Sequence, residues 1–431
     1  MKQKKTERRD TYGSPRWSNE FLDCSMPMTF DTYNLCSYRC QYCFSYYQRS
    51  HAEDYMSNHL KWVNVDKVKK IFLEPESSQF CEYVKARKPM QWGGLSEPFD
   101  LQEPRHKVGL ELLKFFREID YPVAFSTKST WFAYNDEYRK VLKGADNFHF
   151  KWSIITLDEE KAKKIEVGVP SPRERLKAME EINKLGVAGV VLRLRPFMIG
   201  ISDPTYLDLI REAKKAGAHA LTTEFFCLDL RAADDVKQRY VNMSKVAGFD
   251  IYKFYKKYSS QQGYLRLNYE VKRKYVDKMR ALCKELDMGF FVSDAHHKDK
   301  CDHGSCCALP IDNPKFANYA KAQFTEAIVI ARKKGEVKFS DITKFEHKFL
   351  SDTRWNDATG LNSISTGARA KNYKKTLFDL MRHKWNNPKE GSSPWKYFDR
   401  VLIPDRLDEN GDVVYRFNYK KAQCKGCEGC D

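Results

Sequence analysis

Thirteen cysteines occur in the 431-residue chain, and nine of them fall into three tight groups: Cys36, Cys40 and Cys43; Cys301, Cys306 and Cys307; Cys424, Cys427 and Cys430. Thiolates clustered in this way are metal ligands in the usual case, because each brings a soft, negatively charged donor to the same place. The first group reads CSYRCQYC, a Cys-x3-Cys-x2-Cys spacing that lets one loop wrap one centre. A [4Fe–4S] cluster normally takes four thiolates, so three leave one iron open, to be chelated by the amino and carboxylate groups of a small molecule. The competing reading is structural zinc, which closes its shell with four ligands, with His51 as the fourth. In the last group, CKGCEGC, glycines between the thiols allow a tight wrap, and CDHGSCC at 301–307 can supply the missing ligands. A second [4Fe–4S] cluster, structural zinc with His303 nearby, and unligated thiols all fit that pattern. Cys24, Cys81, Cys227 and Cys283 stand alone and read as buried apolar residues.

So many clustered thiols suit a compartment that keeps them reduced. The opening MKQKKTERRD is charged and has no apolar segment behind it, so no secretory signal is expected and the chain reads as cytosolic. No run of about 18 apolar residues is present, which argues against a membrane span. The chain is 42% hydrophobic and 14% aromatic, enough for a large core rather than a disordered chain. A formal net charge of +17 raises the prospect of a polyanionic partner, nucleic acid or another phosphate-rich substrate. The bland alternative is that a chain with 31% charged residues is solvating its helices.

Chemistry of this kind needs a scaffold, and the apolar pattern supplies one. Residues 1–25 form a basic arm. From Met28 onward short apolar runs alternate with amphipathic segments, the pattern of βα units on a parallel sheet. Strands are predicted at Met28–Tyr33, Pro89–Trp92, Pro122–Thr127, Phe148–Ile155, Val187–Arg193 and Ala218–Phe225, with a seventh at Gly289–Ser293 closing the series. Between them Val108, Leu112, Phe115, Phe116 and Ile119 keep helical spacing, as do Leu176, Met179, Ile182 and Leu185, and Tyr206, Leu209, Ile210 and Ala213. Gly186 and Gly217 stand where helix C-termini want a left-handed residue. Six units predict a partial (β/α)6 barrel of the TIM type over residues 26–295, with a cysteine-rich metal-binding extension at 296–431. Residues 231–287 are a basic, tyrosine-rich helical insert; such a face can contact nucleic acid, although amphipathic packing explains it equally simply.

The order of these features resembles the radical S-adenosylmethionine superfamily. CSYRCQYC follows the first strand and carries an aromatic residue, Tyr42, before the third cysteine; GGLSEP, Gly93 to Pro98, follows the second. Within the superfamily the chain is most similar to the spore photoproduct lyase-related branch. The similarity covers residues 26–295 and is carried by Ser126-Thr127-Lys128-Ser129, by WSIITLDEEKAKKIEVGVPSPRERL from Trp152, and by LRLRPFMIGISD from Leu192. The resemblance implies a [4Fe–4S] cluster on Cys36, Cys40 and Cys43 with S-adenosylmethionine bound beside it. It implies that Tyr42, Gly93, Gly94, Ser96, Glu97, Ser126, Lys128, Ser153, Arg193, Arg195 and Glu224 line that cofactor. Gly93 and Gly94 would back the methionine amino group; Ser153 and Arg193 or Arg195 would take the ribose and carboxylate. The two arginines alternate with leucine in a strand and so point into a barrel expected to be apolar inside. An anionic partner is then needed, and a bound carboxylate would be one, against the alternative of salt bridges on the rim.

The resemblance also breaks. The repair lyase carries a cysteine in the turn after its second strand, where this chain has Gly93-Gly94-Leu95-Ser96, and a tyrosine after the third cluster cysteine, where this chain has Phe44. Repair of the spore photoproduct is therefore not expected, unless Cys81 or Cys227 brings a thiol from elsewhere. What the family implies is reductive cleavage of adenosylmethionine by an electron from a partner such as flavodoxin or ferredoxin, followed by hydrogen abstraction from a substrate. Nucleic acid or nucleotide modification is the first reading and peptide modification the second. A non-catalytic nucleic-acid binder held together by metal sites is the third.

Overall fold

The structure, a computed structural model, describes residues 11–12, 15–18, 23–45, 60–230, 234–259, 264–320, 322–344, 350–351, 375–389 and 393–422. His51, Cys424, Cys427 and Cys430 lie outside these residues, as does most of the basic arm.

Eight strands build the main sheet: β1 (Arg16–Trp17), β2 (Met28–Phe30), β3 (Met90–Trp92), β4 (Val123–Thr127), β5 (Phe148–Ser153), β6 (Gly189–Phe197), β7 (Ala220–Phe225) and β8 (Gly289–Val292). They lie side by side in sequence order. β2 to β8 run parallel throughout, and only β1 pairs antiparallel, on the outer side of β2. Helices make the crossovers: α1 (Val65–Leu73), α2 (Val108–Glu118), α3 (Asp136–Leu142), α4 (Glu159–Ile165), α5 (Pro172–Asn183) and α6 (Tyr206–Lys215). Local chemistry sets their ends. Ser171 and Glu174 close a capping box ahead of α5, with Pro172 at its first position. Gly186 and Gly217, just beyond α5 and α6, take φ of +76° and +92°, the conformation expected of them.

The seven predicted strands and their parallel order are all present, and the insert at 231–287 is helical: α7 (Asp234–Ala247), α8 (Ile251–Tyr258) and α9 (Tyr269–Glu285). The sheet's interior differs from expectation. In β5 the run FHFKWS turns Phe148, Phe150 and Trp152 outward under the helices, where Phe150 stacks on Phe125 at 4.7 Å between ring centroids. His149, Lys151 and Ser153 therefore share the other face. One cavity touches Thr29, Gln91, Ser126, Lys151, Arg193 and Thr222, which stand on six consecutive strands. A flat sheet cannot present six strands to one cavity, so the sheet curls into a partial barrel, open between β8 and β1. Its inside is polar, which corrects the apolar interior expected for a closed small barrel.

Residues 305–320 form a strap across the N-terminal ends of the strands. Lys315 Nζ bonds Asp120 and Asp146, each at 2.6 Å, in the turns leading into β4 and β5. Asn313 Nδ2 donates to Asp146 O at 2.7 Å, and Thr222 Oγ1 donates to Cys306 O at 2.7 Å. Met26, Leu309, Phe316 and Tyr319 pack together there as a small core against Ala124. The barrel therefore has a floor made largely by the C-terminal region. Beyond it, in the extension for which no strands or helices are predicted, α10 (Phe324–Lys334), α11 (Leu377–Asn386) and an antiparallel sheet of β9 (Glu336–Val337), β11 (Val413–Phe417) and β10 (Leu402–Leu407) are formed. Its strands are short and its helices are separated by long connections, so no periodic window was long enough to read. Trp385 locks it, donating to Val413 O at 2.6 Å and accepting from Tyr415 Oη at 2.6 Å through its carbonyl.

Candidate metal and cofactor site

Cys36, Cys40 and Cys43 all line the cavity, whose volume is about 570 Å³, at the C-terminal end of β2. The loop that carries them is clamped from both sides. Ser37 donates to the Asp100 carboxylate through its backbone N and its Oγ, both at 2.6 Å. Arg39–Cys40 pairs antiparallel with Glu166–Val167, and Gln41 N donates to Ile165 O at 2.8 Å. Tyr42 Oη donates to Glu166, and Glu166 is paired at 2.6 Å with Arg175, both side chains being fully buried. Arg175 donates in turn to Ser153 O at 2.6 Å, so the thiol loop is tied to the end of β5.

Without a cation this is a poor place for a thiolate. Burial, then the carboxylates of Asp100 and Glu97, push the Cys36 thiol far up; burial pushes Cys40 up to about 12, opposed by Lys128. Ferric or ferrous charge reverses that balance, since metal coordination deprotonates thiols outright. Three thiols on one loop, opening onto a cavity with room for a further ligand, fit a [4Fe–4S] cluster. Among the described residues no three His, Cys, Asp or Glu side chains converge on one ion position. A cubane takes each thiolate on a different iron.

All eleven residues expected around the cofactor line this cavity, and several already have work within the protein. Gly93 is required by its own backbone: φ is +89°, and a Cβ there would lie 2.6 Å from Ser126 O and 2.9 Å from Pro98. At Gly94 a Cβ would meet Arg16 at 3.1 Å and Thr29 at 3.3 Å. Strand and turn packing therefore already require both glycines, and both also line the cavity where the sequence expects the cofactor. Gly93→Ala is expected to cost about 1–3 kcal/mol, read as a lower Tm. Ser96 Oγ donates to Tyr33 O at 2.9 Å, and its backbone N donates to Asp31 at 2.9 Å. Tyr42 is held by Glu166, with Lys128 Nζ over its ring at 5.6 Å.

Glu97 accepts from Thr127 Oγ1, from Lys128 N at 2.9 Å and from Phe99 N at 3.2 Å, joining the turns after β3 and β4. Burial outweighs these bonds and lifts its pKa from 4.5 to about 7. The folded state thus takes up a proton near pH 7 and the unfolded chain only near 4.5, so stability falls as pH rises through that window. Glu97→Gln is expected to flatten this decline, by about 3 kcal/mol between pH 4.5 and 7, in unfolding measured across that range.

Ser153 Oγ accepts from Arg193 Nη1 at 2.9 Å. Arg195 pairs with Glu224 and donates to Ser293 Oγ at 2.9 Å, so of the two arginines Arg195 has a carboxylate partner. Burial, then Arg195, lower the pKa of Arg193 to about 10, as expected of a cation short of an anion. Ser126 Oγ accepts from Gln91 Nε2 at 3.1 Å.

The second thiol group is split. Cys301 is buried with its Sγ against Val292 of β8, accepting from Val292 N at 3.2 Å and donating to Val292 O at 3.3 Å. Cys307 instead faces the barrel cavity from the floor. Two cysteines read as solitary buried residues, Cys24 and Cys227, also line it, a correction to that reading; Cys283 is buried as expected, and Cys81 starts a short helix away from the cavity. Ser25 Oγ and Ser305 Oγ lie 2.9 Å apart, which sets the residues flanking Cys24 beside those preceding Cys307. Lys151 and Gln91 were also missed. The signal for them was the alternation of aromatic with polar residues in FHFKWS, which puts Lys151 on the same side as Ser153.

Fold and site define a partial parallel barrel with a three-thiol loop above a polar, cationic cavity. No protein-family model and no curated protein matches the chain. Among solved structures it is similar to spore photoproduct lyase complexed with dinucleoside spore photoproduct, at 18% identity and a TM-score of 0.49, over 65% of this chain and 80% of that one. It is also similar to Streptococcus suis SuiB bound to S-adenosylmethionine, at 12% identity and a TM-score of 0.38, over 62% of this chain and 51% of that one. These likenesses concern the course of the chain.

Proposed function

We propose that the chain is a radical S-adenosylmethionine enzyme that abstracts hydrogen from a nucleotide or nucleic acid. The observation that carries this reading is the Cys36, Cys40 and Cys43 loop at the C-terminal end of a parallel barrel strand, facing a cavity with Arg193 on its wall. Cys36, Cys40 and Cys43 would hold a [4Fe–4S] cluster beside adenosylmethionine, and with one electron from a flavodoxin- or ferredoxin-like donor the bound pair would supply the radical chemistry. The chain's own residues position and shield. Glu166 and Arg175 hold the thiol loop, Ser153 fixes Arg193 on the cavity wall, and Glu97 joins the two turns that border the thiols. The strap at 305–320 covers the end opposite the thiol loop.

The nucleotide reading is supported by the charge of +17 and by the basic helices α7 to α9, from which Arg239 reaches Cys40 O at 3.5 Å. The proposal includes a C-terminal metal centre that draws on Cys424, Cys427 and Cys430, as [4Fe–4S] in preference to zinc; loss of one iron cluster's worth of metal in Cys424→Ala supports it, and loss of zinc contradicts it. Protein reconstituted and reduced without oxygen is expected to release 5′-deoxyadenosine from adenosylmethionine. Fully loaded protein that never does so removes the enzyme reading. DNA or RNA affinity should fall steeply with salt; absent or salt-insensitive binding, or turnover of a peptide instead, removes the nucleotide.

A further inference from the structure

The cavity holds more positive than negative charge. Arg16, Lys128, Lys151, Arg193 and Arg195 all line it. Arg16 pairs with Asp31 at 2.6 Å and Arg195 with Glu224. Lys128 Nζ stands over the ring of Tyr42, between the second and third thiols, at 5.6 Å and so serves the thiol loop. Lys151 and Arg193 are left, and among the described residues neither forms an ion pair. Lys151, 2% exposed, donates to the neutral Gln91 Oε1, and Arg193 to the neutral Ser153 Oγ. A buried lysine and a half-buried arginine in this state lack the anion that makes their burial tolerable.

The two are neighbours. Ser153, in register with Arg193, lies two residues beyond Lys151 on the same face of β5, and Ser126 of β4 is in register with Lys151. Ser126 Oγ already accepts from Gln91, and Ser153 Oγ from Arg193, which leaves both hydroxyl protons to be donated elsewhere. Two cations and two hydroxyl donors thus converge from three adjacent strands with no acceptor of matching charge.

We propose that Lys151, Arg193, Ser126 and Ser153 form a phosphate subsite for the substrate, inside the barrel below the thiol loop. A planar carboxylate carries one charge and is satisfied by one arginine; a tetrahedral phosphate has the charge and the oxygens for both cations and both hydroxyls. Adenosylmethionine does not remove the surplus, because its carboxylate arrives with a sulfonium. What bears the phosphate rests on the nucleotide reading above; the charge count does not. The rival neutraliser is Cys307 as a thiolate, since its side chain lines the same cavity.

The test is calorimetric titration of the anaerobically prepared holoprotein with inorganic phosphate, with and without adenosylmethionine, and with acetate at equal ionic strength. Phosphate is expected to bind in both states, at least tenfold more tightly than acetate and at least tenfold more weakly to Lys151→Met. No phosphate binding, equal acetate binding, or unchanged affinity in a folded Lys151→Met overturns the subsite. Phosphate binding that appears only in Cys307→Ser also overturns it, by making the thiolate the resident counter-ion. Should Lys151→Met not fold, native crystals soaked in selenate decide: an anomalous peak within hydrogen-bond distance of Lys151 Nζ supports the subsite, and its absence sinks it. Because phosphate affinity does not depend on 5′-deoxyadenosine release, failure here is distinguishable from failure of the enzyme reading.

Discussion

Alanine at any one of Cys36, Cys40 or Cys43 is expected to abolish the N-terminal iron–sulfur chromophore and to lower 5′-deoxyadenosine production by roughly 10³-fold or more, a barrier increase of at least about 4 kcal/mol. The loop offers these three thiols and no spare: Phe44 follows the third, and the next cysteines on the cavity wall, Cys24, Cys227 and Cys307, come from other segments of the chain. Cys→Ser keeps the size and the hydrogen bonds but not the soft donor, so it should lose iron as Ala does. Zinc would behave differently: a closed tetrahedral site loses zinc on the same substitutions but never supports cleavage. Iron and zinc content, the visible spectrum and 5′-deoxyadenosine, measured on the same samples, separate these outcomes. Wild-type levels of iron–sulfur absorbance in Cys40→Ala would contradict the assignment.

The second large effect lies outside the thiols. Arg175→Met is expected to destabilise the protein by about 3–5 kcal/mol, because it leaves the Glu166 carboxylate buried beside Tyr42 without its partner. The loss should appear as a lower unfolding midpoint, and the loop should hold its cluster less well, since Glu166 and Val167 pair with Arg39 and Cys40. A double variant, Arg175→Met with Glu166→Gln, removes the stranded charge and should recover part of the stability without restoring the full clamp. Stability unchanged in Arg175→Met would mean that Glu166 is neutral or solvated and that the clamp is not what holds the loop.

The barrel was legible because each of its parts repeats a local rule. Parallel strands flanked by amphipathic helices announce themselves in apolar runs of four to eight residues, and Gly186 and Gly217 mark helix ends by conformation alone. The thiol loop stood out because its three cysteines sit within eight residues, CSYRCQYC. What could not be read depends on contacts between distant segments. Nothing local to Arg175 or Glu166 says that they meet under Tyr42, and nothing near Cys307 or Cys24 says that they face the cavity from its floor. Arg193 and Arg195 looked alike in LRLRPF, yet only folding gives Arg195 the carboxylate of Glu224 and leaves Arg193 with a hydroxyl. Lys151 was hidden by the premise that a small barrel is apolar inside. The alternation in FHFKWS already contradicted that premise.

The most direct measurement is electron paramagnetic resonance of the reduced, anaerobically reconstituted protein before and after adenosylmethionine is added. Coordination of the sulfonium's amino and carboxylate groups to a free iron should change the g-values of the [4Fe–4S]⁺ signal, and Cys43→Ala should lack that signal. A spectrum that adenosylmethionine leaves untouched, or a protein that carries one zinc and no cluster on this loop, contradicts the assignment.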